Sequence, residues 1–211
     1  MKNFINEEKI TAILDDSQRC HSDHAESILR KSLNLEGLSP EEAAILLNCE
    51  DDALLDRLYT TARQIKEEIY GKRLVLFAPL YLSNRCINSC SYCGFSHENT
   101  SSGKRLLEMQ EISDETKALI SQGHKRLLLV SAEDPEVSID YLQDAIKTVY
   151  ETKEGNGAIR RINVNVAPMR KSDFKKLKST GIGTYQSFQE TYHIDTYKQQ
   201  HTSGPKSDYL K

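Results

Sequence analysis

The sequence lacks any long apolar run. None of its hydrophobic stretches approaches the roughly 20 residues that a membrane-spanning helix needs. It also lacks a dominant sign of charge. A formal net charge of −3 gives no electrostatic reason to expect nucleic acid or an anionic membrane as a partner. The opening stretch, residues 1–16, is too acidic and too interrupted for a secretory signal, which points to the cytoplasm. There is no strong internal repeat and no low-complexity tract. What remains is ordinary: 38% hydrophobic and 28% charged residues over 211 positions suit one soluble domain with a substantial core. The cysteines stand out. They number five, an odd count, and three fall within residues 86–93. In a reducing compartment such bunching suggests metal binding rather than disulfides.

The first 70 residues read as helices. Ser39-Pro40-Glu41-Glu42 has the form of a capping box, with Pro at the first helical position and Glu three residues after the Ser. A longer helix is predicted from Asp51 to Tyr70. Leu54, Leu58, Ala62, Ile65 and Ile69 form its apolar stripe, and Gly71 stands at its C-terminal cap. The pattern then changes to short apolar runs alternating with helical segments. Strands are predicted at Leu74–Tyr81, Arg126–Val130, Arg161–Val166 and Gly183–Gln189. Helices are predicted from Ile112 towards Gln122, from Ser138 to Tyr150 and from Lys171 to Ser179. Such alternation means βαβ units and a parallel sheet.

Residues 1–71 are therefore expected to form an N-terminal helical extension. Residues 72–211 are expected to form about four βα units, the first half of a TIM-type barrel. A complete eight-unit barrel takes about 250 residues, so this chain is expected to be truncated within the fourth unit. Its first and fourth strands would be open edges, prone to pair with another chain. In the third strand Ile162, Val164 and Val166 point one way, towards helices. Asn163, Asn165 and Ala167 point the other way, into a polar interior.

The strongest local signal is Cys86-x3-Cys90-x2-Cys93, directly after the first strand. Thiolates are soft ligands that suit iron–sulfur clusters or zinc. Three cysteines on a 4Fe–4S cluster leave one iron open to bind a substrate. His97 keeps a Cys3His zinc site as an alternative. Cys20 with His21 and His24 is read as part of an exposed helical face, and Cys49 as a small buried hydrophobe. Lys171, Lys175, Lys176 and Lys178 are read as a solvated helix face.

This cysteine spacing, with an aromatic residue before the last Cys, resembles the radical S-adenosylmethionine (SAM) signature. Ala78-Pro79-Leu80-Tyr81-Leu82-Ser83-Asn84 and Cys93-Gly94-Phe95 resemble the tyrosine-lyase branch of that family. The branch is shared by thiamine-pathway 2-iminoacetate synthases and the HydG family of FeFe-hydrogenase maturases. Gly123-His124-Lys125-Arg126, Ala132-Glu133-Asp134-Pro135, Ile159 to Val166, Phe188 to His193 and Ser203 to Tyr209 resemble HydG in particular.

The resemblance implies a 4Fe–4S cluster on Cys86, Cys90 and Cys93 that reduces SAM to a 5′-deoxyadenosyl radical. The radical would cleave L-tyrosine to p-cresol and dehydroglycine, with a low-potential electron donor and hydrogenase-maturation partners. It places Tyr92 beside adenine. It places Ser131, Ala132 and Glu133 at the Gly-Gly-Glu position that takes the SAM amino group, with Ser131 replacing a smaller residue. Asn165 becomes a ribose or methionine contact and Glu190 a SAM or substrate contact. His193 is a weaker candidate. Two other readings stand beside this one: a thiamine-pathway synthase, and an iron–sulfur or zinc-binding remnant without turnover.

Overall fold

The computed structural model describes residues 3–18, 22–101 and 103–210. The chain divides into two compact units, Lys2–Val75 and Leu76–Lys211.

The first unit is helical: α1 (Glu7–Asp16), α2 (Ser22–Leu33), α3 (Pro40–Leu47) and α4 (Asp52–Tyr70). The capping box at α3 forms as its sequence implies. Glu42 N donates to Ser39 Oγ at 3.2 Å, and Ser39 N donates to Glu42 Oε2 at 2.7 Å. Asp51 caps α4, and Gly71 ends it at φ 61°, a left-handed angle that glycine adopts without strain. Ala25, Leu29, Cys49 and Leu54 form the core of this unit, so Cys49 is the buried hydrophobe expected.

The apolar stripe of α4 is only partly used. Leu54 is buried and Leu58 half-buried, but Ala62 and Ile69 are exposed. Helix α2, against which α4 packs, has 12 residues to the 19 of α4. At 1.5 Å per residue that is about 18 Å of partner for about 29 Å of helix, so the far end outruns its cover. His24 is exposed on α2, whereas Cys20 and His21 lie outside the described residues.

The second unit is the expected α/β fold. Its elements in order are β1 (Ala78–Ser83), β2 (Ser89–Cys90), α5 (Met109–Ser121), β3 (Arg126–Ser131), α6 (Ile139–Glu151), β4 (Lys153–Glu154), β5 (Gly157–Ala158), β6 (Arg161–Asn165), α7 (Lys171–Ser179), β7 (Tyr185–Gln186), α8 (Ile194–Gln200) and β8 (His201–Ser203). A 3-10 turn follows at Pro205–Ser207. Strands β1, β3, β6 and β7 lie side by side in that order, and every pairing is parallel. This is a partial barrel of the TIM type, with βα units in sequence order. Leu80, Leu82, Leu127, Leu129, Ile162 and Val164 face Ile112, Leu142, Ile146, Val149 and Leu177 of the covering helices. Asn163 and Asn165 alternate with the buried positions of β6, as their period of two requires.

Two predicted strands are corrected. The apolar run from Leu74 does not begin β1: Leu74, Val75, Leu76 and Phe77 are exposed and lie before the strand, which runs on to Ser83. The partner strand decides this, because pairing starts at Ala78 opposite Leu127, one residue into β3. The fourth strand shrinks from Gly183–Gln189 to Tyr185–Gln186 because β6 ends at Asn165, opposite Gln186. Glu190 therefore lies beyond the strand rather than at its end. Helix α5 begins three residues before Ile112, where Glu108 N donates to Glu111 Oε2 at 2.8 Å in a capping box.

Leu129 is fully buried, pairs with Leu80 and Val164, and lies at the centre of the sheet. Leu129→Ala is expected to lower unfolding stability by about 2–5 kcal/mol, read as a lower urea midpoint with an unchanged slope. A loss below about 1 kcal/mol would show that the sheet centre is not the core.

Candidate active site

The cysteine loop leaves the carboxyl end of β1, where parallel αβ units collect their chemistry. The loop has little apolar filling and is held by hydrogen bonds to three distant segments. Its first tether is a charged one. Arg85 donates to both oxygens of Asp134, from Nε at 2.8 Å and Nη2 at 3.0 Å, and its Nη2 also meets Glu136 Oε1 at 2.7 Å. Ser83 Oγ donates to the same Asp134 carboxylate at 2.7 Å. Burial works to raise the Asp134 carboxyl, but these donors and the Glu136 N–H outweigh it and hold it below the usual range. The guanidinium of Arg85 is correspondingly shifted up.

The second tether is Asn88, buried inside the loop. Its Nδ2 donates to Glu133 Oε2 at 2.7 Å, and its Oδ1 accepts from Lys206 N at 2.7 Å. Its N and Nδ2 also lie 3.5 and 3.6 Å from Cys86 Sγ, both as donors to the sulfur. The third tether is a small sheet. β2, which contains Cys90, pairs antiparallel with β8 near the end of the chain. Ser91 N donates to Gln200 O at 3.0 Å, and Thr202 Oγ1 to Ser89 O at 2.8 Å. Gly204, at φ 86°, lies so close that a Cβ there would sit 2.5 Å from Ile87 O. No side chain fits between the two segments. Cys93 is then placed by a turn, its N–H donating to Cys90 O at 3.2 Å.

Beside the loop lies a cavity of about 290 Å³. Nine of the residues singled out from the sequence line it: Cys86, Cys90 and Cys93, Tyr92, Ser131, Ala132, Glu133, Asn165 and Glu190. They come from the cysteine loop and from the ends of β3, β6 and the segment after β7. His193 is elsewhere, capping α8 through Thr196. The Lys171, Lys175, Lys176 and Lys178 side chains are exposed on α7.

Four further cavity or near-cavity residues were not reached by sequence reasoning: Asn88, Tyr197, His201 and Lys206. Lys206 Nζ donates to Glu190 Oε1 at 2.7 Å and to Tyr92 OH at 3.3 Å. His201 is fully buried. Its Nδ1 lies 2.8 Å from Tyr197 O, a pure acceptor, so Nδ1 carries the proton. Its Nε2 lies 2.9 Å from Tyr92 OH and 3.7 Å from Glu190 Oε2. The Tyr197 ring stacks on His201 at 4.0 Å. Burial, and then the neighbouring Glu190 carboxylate, push the Tyr92 phenol well above its ordinary value. Burial acts against the Glu190 carboxylate, but Lys206 and Tyr92 hold it below the usual range.

The donor set suits an iron–sulfur cluster. Cys86, Cys90 and Cys93 are free thiols around one cavity that extends away from them towards Glu133, Asn165 and Glu190. Asn88 supplies the N–H donors that stabilise a thiolate at Cys86. Burial pushes the uncharged-state preference of the Cys90 thiol up, and Lys206 and Tyr92 oppose it. His97 is exposed, with Nδ1 at 3.2 Å from Cys86 O, a backbone contact. Among the described residues no group of three or more His, Cys, Asp or Glu side chains is gathered as a single ion requires.

The radical SAM superfamily model matches residues 80–210, most of the chain. The chain belongs to the radical SAM superfamily. A solved structure of HydG, a maturase of the FeFe-hydrogenase, is 51% identical, with a TM-score of 0.95 over 99% of this chain and 46% of that one. HydG from Carboxydothermus hydrogenoformans is 41% identical, with a TM-score of 0.83 over 99% of this chain and 49% of that one. The 2-iminoacetate synthase of Escherichia coli (strain K12) is 31% identical over 183 residues, covering 86% of this chain and 47% of that protein. The chain thus spans about half the length of these radical SAM relatives. No helix among the described residues is long and apolar enough to cross a membrane.

Asn88→Ala should test the tether directly. It strips the partner from the Lys206 N–H and is expected to cost about 1–3 kcal/mol of stability in urea unfolding. An unchanged midpoint would mean that the tail is not held through Asn88.

Proposed function

We propose that this chain is the cluster- and SAM-binding part of a radical SAM tyrosine lyase of the FeFe-hydrogenase maturase type. One observation supports this most directly: the three thiols share a single cavity with Glu133, Asn165 and Glu190. Bound there, a 4Fe–4S cluster and SAM supply an electron and a carbon-centred hydrogen abstractor.

The chain's own residues hold and orient. Cys86, Cys90 and Cys93 would hold the cluster, with SAM bound beside it. Glu133 takes the SAM ammonium. Asn165 meets the ribose or methionine from the inner face of β6. Tyr92 presents its ring to adenine, its hydroxyl fixed by His201 and Lys206. Glu190 faces SAM or the substrate. L-tyrosine is the substrate in this reading, a low-potential donor supplies the electron, and hydrogenase-maturation proteins are the partners. The reducing cytoplasm keeps the thiols free.

A thiamine-pathway 2-iminoacetate synthase is the second reading. It shares the cleavage of tyrosine. The 51% identity to a HydG structure against 31% to the Escherichia coli synthase favours the maturase.

Anaerobic reconstitution is expected to load about four irons per chain, and Cys90→Ala to abolish loading while Cys49→Ala preserves it. Equal loss in both variants would refute the ligand assignment. The lyase reading is tested with L-tyrosine, SAM and a strong reductant, by following 5′-deoxyadenosine and p-cresol together. p-Cresol is the expected product of the lyase. 5′-Deoxyadenosine without p-cresol, both in this chain and in any longer form carrying it, would keep the radical SAM reading and remove tyrosine cleavage.

A further inference from the structure

The cysteine loop and the Glu133 loop leave two different strands, β1 and β3. For a ligand to touch a group from each loop, the two loops must be held at a fixed separation. Backbone contacts do part of this: Ala132 N donates to Ser83 O at 3.0 Å and Ile87 N to Glu133 O at 3.1 Å. Both are single neutral bonds, and Asn88 Nδ2 adds one more single bond, to Glu133 Oε2 at 2.7 Å. Between them stands the charged contact of Arg85 with Asp134. Arg85 immediately precedes Cys86, and Asp134 immediately follows Glu133.

The Asp134 side chain is only 1% exposed and receives four hydrogen bonds. They come from Ser83 Oγ, from Arg85 Nε and Nη2, and from Glu136 N at 3.0 Å. A two-pronged guanidinium–carboxylate contact fixes direction as well as distance, which a single bond does not. Neither Arg85 nor Asp134 lines the cavity. An acidic side chain so deeply paired, one residue from a cavity carboxylate, is more than a turn former.

We propose that Arg85 and Asp134 are positioning residues that set Glu133 against the cysteine loop, so that SAM affinity depends on a pair that does not touch SAM. This rests on the assignment of the cavity to a cluster and SAM. It goes beyond that assignment by giving the geometry of the ligand site to residues outside it. Asp134 acts through its neighbour Glu133, and Arg85 acts through its neighbour Cys86. Because the two share a two-pronged contact, beside the Arg85 contact with Glu136 and the Asp134 contacts with Ser83 and Glu136 N, removing both should cost much less than the sum of the two single losses.

The test uses the full chain, reconstituted with iron and sulfide. Iron content, SAM dissociation constant, and the change that SAM makes in the electron paramagnetic resonance signal of the reduced cluster are measured on each variant. Asp134→Ala and Arg85→Ala are each expected to keep the iron content of the parent and to raise the SAM dissociation constant at least tenfold, with a weakened SAM-induced spectral change. The double variant is expected to match the weaker single within about twofold, the non-additivity of a shared contact. If either alanine variant fails to fold, Asp134→Asn and Arg85→Gln keep the shape, remove the ion pair, and are read against the same thresholds. A dissociation constant within twofold of the parent at full iron loading overturns the proposal. So does a loss of SAM binding that only follows a loss of iron, since the pair then holds the cysteine loop alone. A parent chain that loads no iron would instead refute the cluster assignment itself.

Discussion

The rest of the site depends on one constraint: the loop that carries the cysteines must be held almost entirely by polar contacts. Between β1 and α5 the chain has little apolar packing of its own. Among its described residues the one regular piece is the two-residue strand β2. A loop of this kind loses backbone entropy at every ordered residue and gains little from burial, so directed hydrogen bonds from other segments must order it. They come from the end of β3, from β8 and from the turn after it. Each cysteine has a different anchor. Cys86 follows Arg85, which is clamped by Asp134. Cys90 lies within β2, which is paired to β8. Cys93 hangs on Cys90 through a turn.

The parallel sheet explains why these anchors converge. Each strand delivers the start of a loop to the same end of the sheet, and the loops after β1, β3, β6 and β7 are neighbours because the strands are. The cavity is assembled from these loop starts, and its residues lie more than a hundred positions apart. The apolar layer between sheet and helices sets the distances. On the opposite side of the pleat Asn163 and Asn165 are half-buried, and Asn165 lines the cavity. One strand thus carries core and site on alternate residues.

What could be read from the sequence was what is local. The capping box at Ser39, the cap at Gly71 and the bounds of α7 are set by residues within a few positions of one another, and all three match. The strand bounds are set by partners elsewhere, so the apolar character of Leu74–Phe77 misled and β7 was overestimated. The cavity residues were legible for a different reason. The cysteine spacing and its flanks are a compact motif, and resemblance carried Glu133, Asn165 and Glu190 along with it. Asn88, His201 and Lys206 were not legible. Their significance lies in pairings across about 110 positions, and a buried His at 201 looks in sequence like any other polar residue near a helix end.

The far wall of the cavity shows why those late residues matter. Tyr92 belongs to the cysteine motif, yet its hydroxyl is fixed by His201 and Lys206. His201 is in turn fixed by the Tyr197 carbonyl and ring, and Lys206 by Glu190. Every member of this group meets at least one other, so the buried imidazole has partners at both nitrogens and the half-exposed Tyr92 phenol is tied to it. Such a network is rigid when it is complete and costly when one member is lost, because the remaining buried groups are left without partners. The tail therefore does more than cover the loop. It fixes the orientation of an aromatic ring that the motif supplies but does not itself hold in place. Its own position is set by a glycine at 204 that lets the two backbones touch. The cysteine loop is held both by a charged clamp in the loop after β3 and by a polar network on the tail.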